Sequence, residues 1–176
     1  MSISDEVLAR EKEGRIVRLT PPFDTEHRRL YLSDEVRGWV MEPWSHPPGA
    51  TRGMALRADL ESFVRGDTIA AATALRKRDD TYLALLDPPE KGIWQIRSLA
   101  PRPSIRILGA FVARDCFIAL AAEERKWLEG FRSRPWRRAI ASATSSWRRL
   151  FPAYNPLGLS NRSPLHNVLT NYYDTG

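Results

Sequence analysis

The amino-acid sequence predicts an α+β domain built on a small antiparallel β-meander that is packed by helices before and after it. Three segments rich in β-forming residues, at about 92–98, 104–111 and 116–120, are separated by two turn signals. Apolar residues at helical spacing precede the meander at 54–65 and follow it at 135–150. Helices grouped on either side of an antiparallel sheet are typical of the α+β class.

The alternation of apolar residues within the meander predicts its register. Pairing Trp94 with Gly109, and Phe111 with Cys116, brings the large apolar side chains of all three strands to one face. The opposite face then carries Gln95, Arg97, Arg106 and Leu108. We therefore expect a sheet with one apolar face and one partly cationic face.

The elements before the meander are predicted from local pattern. Residues 1–13 are expected to form one or two helical turns, and 14–20 and 28–32 are candidate short strands. Ser33 is expected to cap a helix that runs to about Glu42, because acidic residues fill its first turn.

Further helices are predicted on both sides of the meander. The helix at 54–65 is expected to stop at Gly66, followed by a helix or turn at 67–75 and a short helical stripe at 81–86. After the meander, 121–131 is predicted to be helical. Pro135 then begins a helix to Leu150 that aligns Trp136, Ile140, Ala143 and Trp147 on one side.

The chain is predicted to fold as one main domain with two additions. The loop from Pro43 to Gly53 contains three prolines and two glycines, so residues 1–50 are expected to be an N-terminal extension packed on the main domain. Residues 51–151 form the core, including the C-terminal Arg/Trp helix. Residues 152–176 are polar and rich in turn signals, which predicts a loosely structured tail.

Composition excludes several classes of protein. The sequence has 176 residues, 43% hydrophobic and 27% charged, which is typical of a globular domain with a sizeable core. It contains no apolar run long enough to span a bilayer and begins with a charged segment that does not resemble a secretory signal. One cysteine, Cys116, excludes an internal disulfide. We expect a cytoplasmic protein without membrane partners.

Positive charge is concentrated in the second half of the chain. The net charge is +6, and residues 131–176 carry seven arginines against a single acid, Asp174. Such asymmetry favours an anionic partner such as nucleic acid. The alternative is that arginine, which makes up 23 of the 27 basic residues, reflects a GC-rich genome and only solvates the surface.

Familiar nucleotide-binding, serine-hydrolase and zinc-protease motifs are absent from the sequence. The three histidines, His27, His46 and His166, lie far apart, and neither His46 nor His166 has a nearby acid or cysteine in the sequence. A metal site built from them would require a large coincidence. The sequence therefore predicts no metal and no cofactor.

The predicted register places Arg97 directly opposite Arg106. Like charges across a strand pair are destabilising unless a group of opposite charge lies between them. A bound anion would serve, and so would Glu123 or Glu124 at the end of the third strand. Both alternatives remain open at the level of sequence.

Three consecutive segments, G-I-W-Q-I-R, P-S-I-R-I-L-G-A-F-V and C-F-I-A-L, follow predicted helices. Over about residues 54–130 this arrangement resembles the RelE/ParE/HigB superfamily of bacterial toxins. The resemblance implies a compact α+β toxin fold and an antitoxin protein as partner. RelE- and HigB-like members are metal-independent endoribonucleases that cut mRNA on the ribosome, whereas ParE-like members act on gyrase.

The resemblance assigns catalytic roles to Arg97, Arg106 and Lys126, which would hold the scissile phosphate and stabilise its developing charge. Arg125, beside Lys126, would contact nucleic acid. The chain departs from the family pattern because no histidine follows the third strand, so Glu123, Glu124 and Lys126 remain alternative acids or bases.

The Arg/Trp helix is a second candidate surface. Its tryptophans at helical spacing are more often core residues than base-stacking platforms. The flanking arginines, which can contact phosphates or merely water, are Arg137, Arg138, Arg148 and Arg149. The alternative function is a non-enzymatic nucleic-acid- or protein-binding module of phage or mobile-element origin. The oligomeric state is not predicted.

Overall fold

The computed structural model describes residues 1–22, 26–73, 79–158 and 165–176, and it consists of a mixed β-sheet between two layers of helices. The helices are α1 (Ile3–Lys12), α2 (Asp34–Val40), α3 (Ala50–Arg65) and α4 (Arg134–Leu150). The strands are β1 (Ile16–Arg18), β2 (Arg29–Ser33), β3 (Ile69–Ala72), β4 (Leu83–Leu85), β5 (Trp94–Ser98), β6 (Ile105–Ala113), β7 (Cys116–Glu124) and β8 (Tyr172–Asp174).

The sheet is larger than the sequence predicted. Its eight described strands lie in the order β1-β2-β7-β6-β5-β4-β3-β8. The predicted meander β5–β6–β7 is antiparallel and occupies the centre, but β2 pairs with β7, and β3 with both β4 and β8, in parallel. The α+β class is confirmed, and the description of the sheet as a small antiparallel meander is wrong.

Segments outside the predicted core contribute strands to this same sheet. β1 and β2 come from the first 50 residues, and β8 comes from the segment predicted to be a loose tail. Buried Arg28 ties that segment to the body of the fold. Its guanidinium donates hydrogen bonds to the backbone oxygens of Phe63, Asp67, Thr170 and Asn171.

The predicted register is correct between β5 and β6 and wrong between β6 and β7. Trp94 pairs with Gly109, and Arg97 with Arg106, as expected. Phe111, however, pairs with Phe117 instead of Cys116, because irregularities at Leu108/Gly109 and Phe111/Ala113 shift the strand by one residue. Since side chains alternate along a strand, the shift sends Cys116 to the opposite face.

Each face of the sheet has its own apolar core. On one face, α2 and α3 cover an aromatic cluster in which Phe63, Phe111 and Phe117 meet with ring centroids 5.1–6.4 Å apart. On the other face, α1 and α4 cover Cys116, Ile118 and Leu120. The partly cationic face predicted from sequence is therefore largely buried under α4.

Helix α4 begins and ends close to the predicted residues. Ser133 caps it, with its hydroxyl accepting a hydrogen bond from the Trp136 amide at 3.3 Å, and Pro135 lies in its first turn. The predicted stripe Trp136, Ile140, Ala143 and Trp147 is buried against the sheet. The tryptophans are thus core residues, although Trp136 also reaches a cavity described below.

Three predicted helices are wrong. The segment 67–75 contains strand β3, 81–86 contains β4, and β7 continues to Glu124 before a 3₁₀ turn at Arg125–Leu128. The end of the first segment, 74–75, lies outside the described residues. β3 and β4 are short and fully buried, so no polar alternation marks them, and their pairing in the sheet overrides local helix propensity.

Candidate functional site

A cavity of about 680 Å³ lies between the edge of the central strands and the N-terminal part of α4. Four of its lining residues are arginines, and we call it the arginine cavity: Arg97, Arg125, Arg132 and Arg137. The other described residues that line it are Leu85, Leu86, Asp87, Pro88, Phe131, Trp136 and Ile140. Its volume falls within the roughly 300–1,000 Å³ of ordinary small-molecule sites.

Arg106 lies behind the arginine cavity as the cross-strand neighbour of Arg97. It is only 5% exposed, and its one hydrogen bond to a described residue goes from Nη1 to the backbone oxygen of Ile105, at 3.2 Å. Burial, reinforced by the positive charges of Arg97 and Arg125, lowers the pKa of Arg106 to about 10. The fold therefore holds a buried cation in a surplus of positive charge.

Arg97 sits in a more balanced environment. Its Nη1 donates a hydrogen bond to the backbone oxygen of Thr81 at 3.1 Å. Burial lowers its pKa, and Arg125 adds to that effect, while the carboxylates of Asp79 and Asp80 act in the opposite direction. These carboxylates compensate Arg97 at the cavity edge, but they do not appear among the charges that act on Arg106.

Glu123 and Glu124 do not neutralise the arginine pair in the described structure. Glu123 lies opposite Arg106 on β7, yet its carboxylate accepts a hydrogen bond from the Glu124 amide at 3.2 Å. Glu124 forms its ion pair with Lys126, at 2.9 Å. The sequence left two alternatives for the arginine pair, a bound anion or an ion pair with Glu123 or Glu124. The described contacts of Glu123 and Glu124 favour the bound anion.

Lys126 is not among the lining residues of the arginine cavity. Its side chain is 59% exposed, and its ammonium lies 4.9 Å from the centre of the Trp127 ring in addition to the ion pair with Glu124. The cause is the 3₁₀ turn that begins at Arg125, which directs successive side chains to different sides of the chain. The three residues that the family resemblance assigns to catalysis therefore do not converge.

The rim of the cavity is a loop held by side-chain hydrogen bonds. Arg125 donates to the backbone oxygen of Glu129 at 2.7 Å, and the Ser133 hydroxyl donates to that of Leu128 at 2.6 Å. Glu129 and Arg132 both have positive φ, which non-glycine residues seldom adopt. This pinned loop brings Phe131 and Arg132 to the mouth of the cavity.

The walls combine aromatic and cationic groups. The guanidinium of Arg132 lies 5.1 Å from the Phe131 ring centre, and that of Arg125 lies 6.0 Å from the Trp136 ring centre. Phe131 is 62% exposed, so most of its surface is accessible to a ligand. A flat apolar group and an anion can both be accommodated here.

Groups suited to proton transfer are scarce in the arginine cavity. Among the described residues its lining includes one carboxylate, that of Asp87, which accepts a hydrogen bond from Arg132 Nε at 2.9 Å. The three histidines are exposed and lie elsewhere; His46, for example, stacks on Trp39. In the described ranges, no three His, Cys, Asp or Glu side chains are grouped as a metal site would require.

The arginines of α4 point in different directions. Arg137 lines the arginine cavity and donates to the backbone oxygen of Arg132 at 2.6 Å. Arg138 lines a separate cavity of about 390 Å³ on the other side of the helix, together with Glu35 and Glu123. Arg148 and Arg149 are exposed about 16 Å further along the helix. Only Arg137 of this set joins the cavity.

Sequence reasoning missed Asp87, Phe131 and Arg132. The helix predicted at 81–86 concealed the hairpin that places Asp87 beside β5. The Asp-Pro-Pro sequence before Gly92 was the available turn signal for that hairpin. For Phe131 and Arg132, the predicted helix at 121–131 hid a rim loop that depends on tertiary hydrogen bonds.

Comparisons with protein-family models, with curated proteins and with solved structures gave no match for the chain. Over the residues that the structure covers, no helix combines the length and apolar character needed to cross a bilayer. Function is therefore inferred from the chemistry of the arginine cavity.

Proposed function

We propose that this protein is a nucleic-acid-binding module that holds RNA at the arginine cavity without cleaving it. The observation that carries the proposal is the convergence of Arg97, Arg125, Arg132 and Arg137 on one cavity, with Arg106 buried behind them and without a carboxylate partner among the described residues. A phosphate group would supply the missing negative charge.

The surrounding groups support a nucleic acid over a simple inorganic anion. Guanidinium groups bind phosphate oxygens through paired hydrogen bonds, and exposed aromatic rings stack on bases. Both kinds of group meet at the cavity rim in Arg132 and Phe131. We propose a cytoplasmic location for this activity, where RNA is the accessible partner.

Binding without cleavage follows from the scarcity of acids and bases. Self-cleavage of RNA by its 2′-hydroxyl needs a group that removes a proton and one that donates it. Among the lining residues, Asp87 is already hydrogen-bonded to Arg132, and the amine assigned by the family resemblance, Lys126, lies outside the cavity.

The test is fluorescence anisotropy with a labelled single-stranded RNA of about ten nucleotides, titrated at several salt concentrations. For single strands, log K falls with log salt by about 0.7 for each phosphate neutralised. Replacing Arg132 and Arg137 together by alanine is expected to reduce that slope by about 1.4. The matched control, Arg148→Ala with Arg149→Ala, removes the same charge from the far end of α4.

A larger loss of RNA affinity in the control variant than in the cavity variant would place the RNA on the distal surface of α4 and contradict the proposal. So would unchanged affinity in both variants. Recovery of intact RNA after prolonged incubation with the protein supports binding without cleavage.

A toxin-like endoribonuclease of the RelE/ParE type, acting on mRNA and controlled by an antitoxin, is the second candidate. It is favoured by the direct pairing of Arg97 with Arg106 in the strands that carry the resemblance. Of the helices predicted before the meander in that range, α3 is present, whereas β3 and β4 take the place of the others. This candidate predicts growth arrest and mRNA cleavage when the chain is expressed in bacteria.

Arg97→Ala with Arg106→Ala should then relieve the arrest. Lys126→Ala should leave it intact, because Lys126 pairs with Glu124 outside the cavity. Normal growth with the wild-type chain would count against the toxin function and would be consistent with the RNA-binding module.

A further inference from the structure

We propose that the arginine cavity takes up one unstacked nucleotide of a single-stranded RNA, with its base against the apolar wall and its phosphate at the arginines. This proposal rests on the nucleic-acid-binding function above and specifies which part of the ligand enters the protein. The ligand class is a nucleoside phosphate, either within a strand or as a free mononucleotide.

The size and lining of the cavity match such a unit. At about 680 Å³ the space accommodates a drug-sized ligand, which a single nucleotide is. A bare phosphate would make no apolar contact with the wall formed by Leu86, Trp136 and Ile140. These three side chains are 7–9% exposed, so a base placed against this wall would remove from water chiefly the ring of Phe131, which is 62% exposed.

The cationic groups define where the phosphate would lie. Arg97 and Arg106 are direct cross-strand neighbours on β5 and β6, with Cα atoms roughly 5 Å apart. Arg125 is close enough to act electrostatically on both. The guanidinium groups of Arg97 and Arg125 line one side of the cavity and form its anion-binding end, with Arg106 adding positive charge from behind, and the neutral wall lies beside them.

The mouth of the cavity favours an unpaired base. Phe131 and Arg132 are held there by the pinned loop, and the Phe131 ring is largely exposed. A base paired within a duplex cannot present its face to Phe131 and its phosphate to Arg97 at the same time, because it remains stacked between its neighbours. The cavity should therefore discriminate single strands from duplexes.

The experiment measures displacement of the labelled RNA by AMP, UMP, adenosine and inorganic phosphate, and it compares single-stranded RNA with its duplex. AMP and UMP are both expected to compete, since stacking tolerates any base, and adenosine and phosphate to compete at least about tenfold more weakly. Duplex RNA should bind roughly tenfold more weakly than the single strand.

A matched pair of variants tests the stacking contact. Phe131→Ala should weaken AMP and RNA binding by roughly tenfold. Trp127→Ala removes an aromatic side chain of nearly equal exposure, 61% against 62%, which does not line the cavity, and should leave AMP binding unchanged.

The outcomes separate the two proposals. RNA binding that depends on Arg132 and Arg137, but is not displaced by AMP or UMP, would overturn the nucleotide site and leave the binding function intact. If phosphate competes as well as AMP and Phe131→Ala has no effect, the cavity binds only an anion and the nucleotide site is likewise overturned. If the protein binds AMP in calorimetry but does not bind RNA, the proposed RNA-binding function is wrong and the nucleotide site in the cavity remains supported.

Discussion

Replacing Arg106 by methionine is expected to stabilise the ligand-free protein. Arg106 is 5% exposed, and its pKa is lowered to about 10, first by burial and then by Arg97 and Arg125. This pKa lies well below the ordinary value of arginine, and one pKa unit corresponds to about 1.4 kcal/mol. The charged side chain therefore destabilises the folded state by about 3 kcal/mol at neutral pH.

The pH dependence of the free energy of unfolding follows from proton binding. From about pH 10 up to the ordinary pKa of arginine, the unfolded chain holds more protons than the folded chain, so stability rises with pH there, and the full penalty is present below that window. Methionine keeps much of the side-chain volume without the charge, but loses the hydrogen bond to Ile105, worth about 1 kcal/mol. The net expectation is a gain of about 2 kcal/mol, or about 4–8 °C in Tm.

The assay is urea and thermal unfolding at pH 7 in a buffer free of phosphate and nucleotides. Arg28→Met is the matched control: burial lowers the pKa of Arg28 as well, but Arg28 donates to four backbone oxygens and Asp115 lies nearby to offset its charge. Its replacement should destabilise the protein by about 3 kcal/mol or more. If Arg106→Met also destabilised the protein by about 1 kcal/mol or more, the charge would be compensated in the fold and the anion argument would fail.

Two further predictions concern the central strands. Gly109→Ala should destabilise the protein by about 2 kcal/mol in urea unfolding, because a Cβ would lie 2.2 Å from the Ile118 backbone oxygen and 2.5 Å from the Phe117 ring. Gly130→Ala, where nothing lies within 4 Å, should be nearly neutral, and equal effects of the two changes would refute this packing argument. Cys116 should resist iodoacetamide at pH 8 and react after addition of denaturant, because burial raises the pKa of its thiol to about 11 and leaves it 2% exposed. Rapid labelling of the native protein would contradict the burial of Cys116.

The central strands could be predicted because they carry a strong local signal. β5 and the first half of β6 alternate between large apolar and polar residues, and this fixed the pairing of Trp94 with Gly109 and of Arg97 with Arg106. The prediction failed at β7, where irregularities in the ladder moved Cys116 to the other face. Bulges of this kind depend on packing around Gly109 and leave little trace in the pattern.

The peripheral strands had no comparable signal. β3 reads Ile-Ala-Ala-Ala, a run that favours a helix by itself, and becomes a strand because β4 and β8 flank it. β8 lies about a hundred residues away from β3 in the chain, so no local window includes both. Its attachment depends on long-range contacts such as those of Arg28 with Thr170 and Asn171.

The residues predicted for the candidate site were likewise only partly correct. Arg97, Arg106, Arg125 and Arg137 were predicted as functional residues, and the structure brings them to one cavity or directly behind it. Lys126, Arg138, Arg148 and Arg149 were also predicted and lie elsewhere. Charge and periodicity identify cationic segments, but the direction of each side chain depends on the turn that follows β7.

The α+β class, the central strand pair, the helix α4 and the opposition of Arg97 and Arg106 were all predictable from the amino-acid sequence. These depend on alternation, capping and composition, which act over a few residues. Three features emerged from the tertiary structure: the opposed arginines lie beneath α4, Glu123 and Glu124 form no ion pair with Arg106, and Asp87, Phe131 and Arg132 complete a cavity. Those features arise where segments distant in the chain pack together, and there burial sets the cost of each charge.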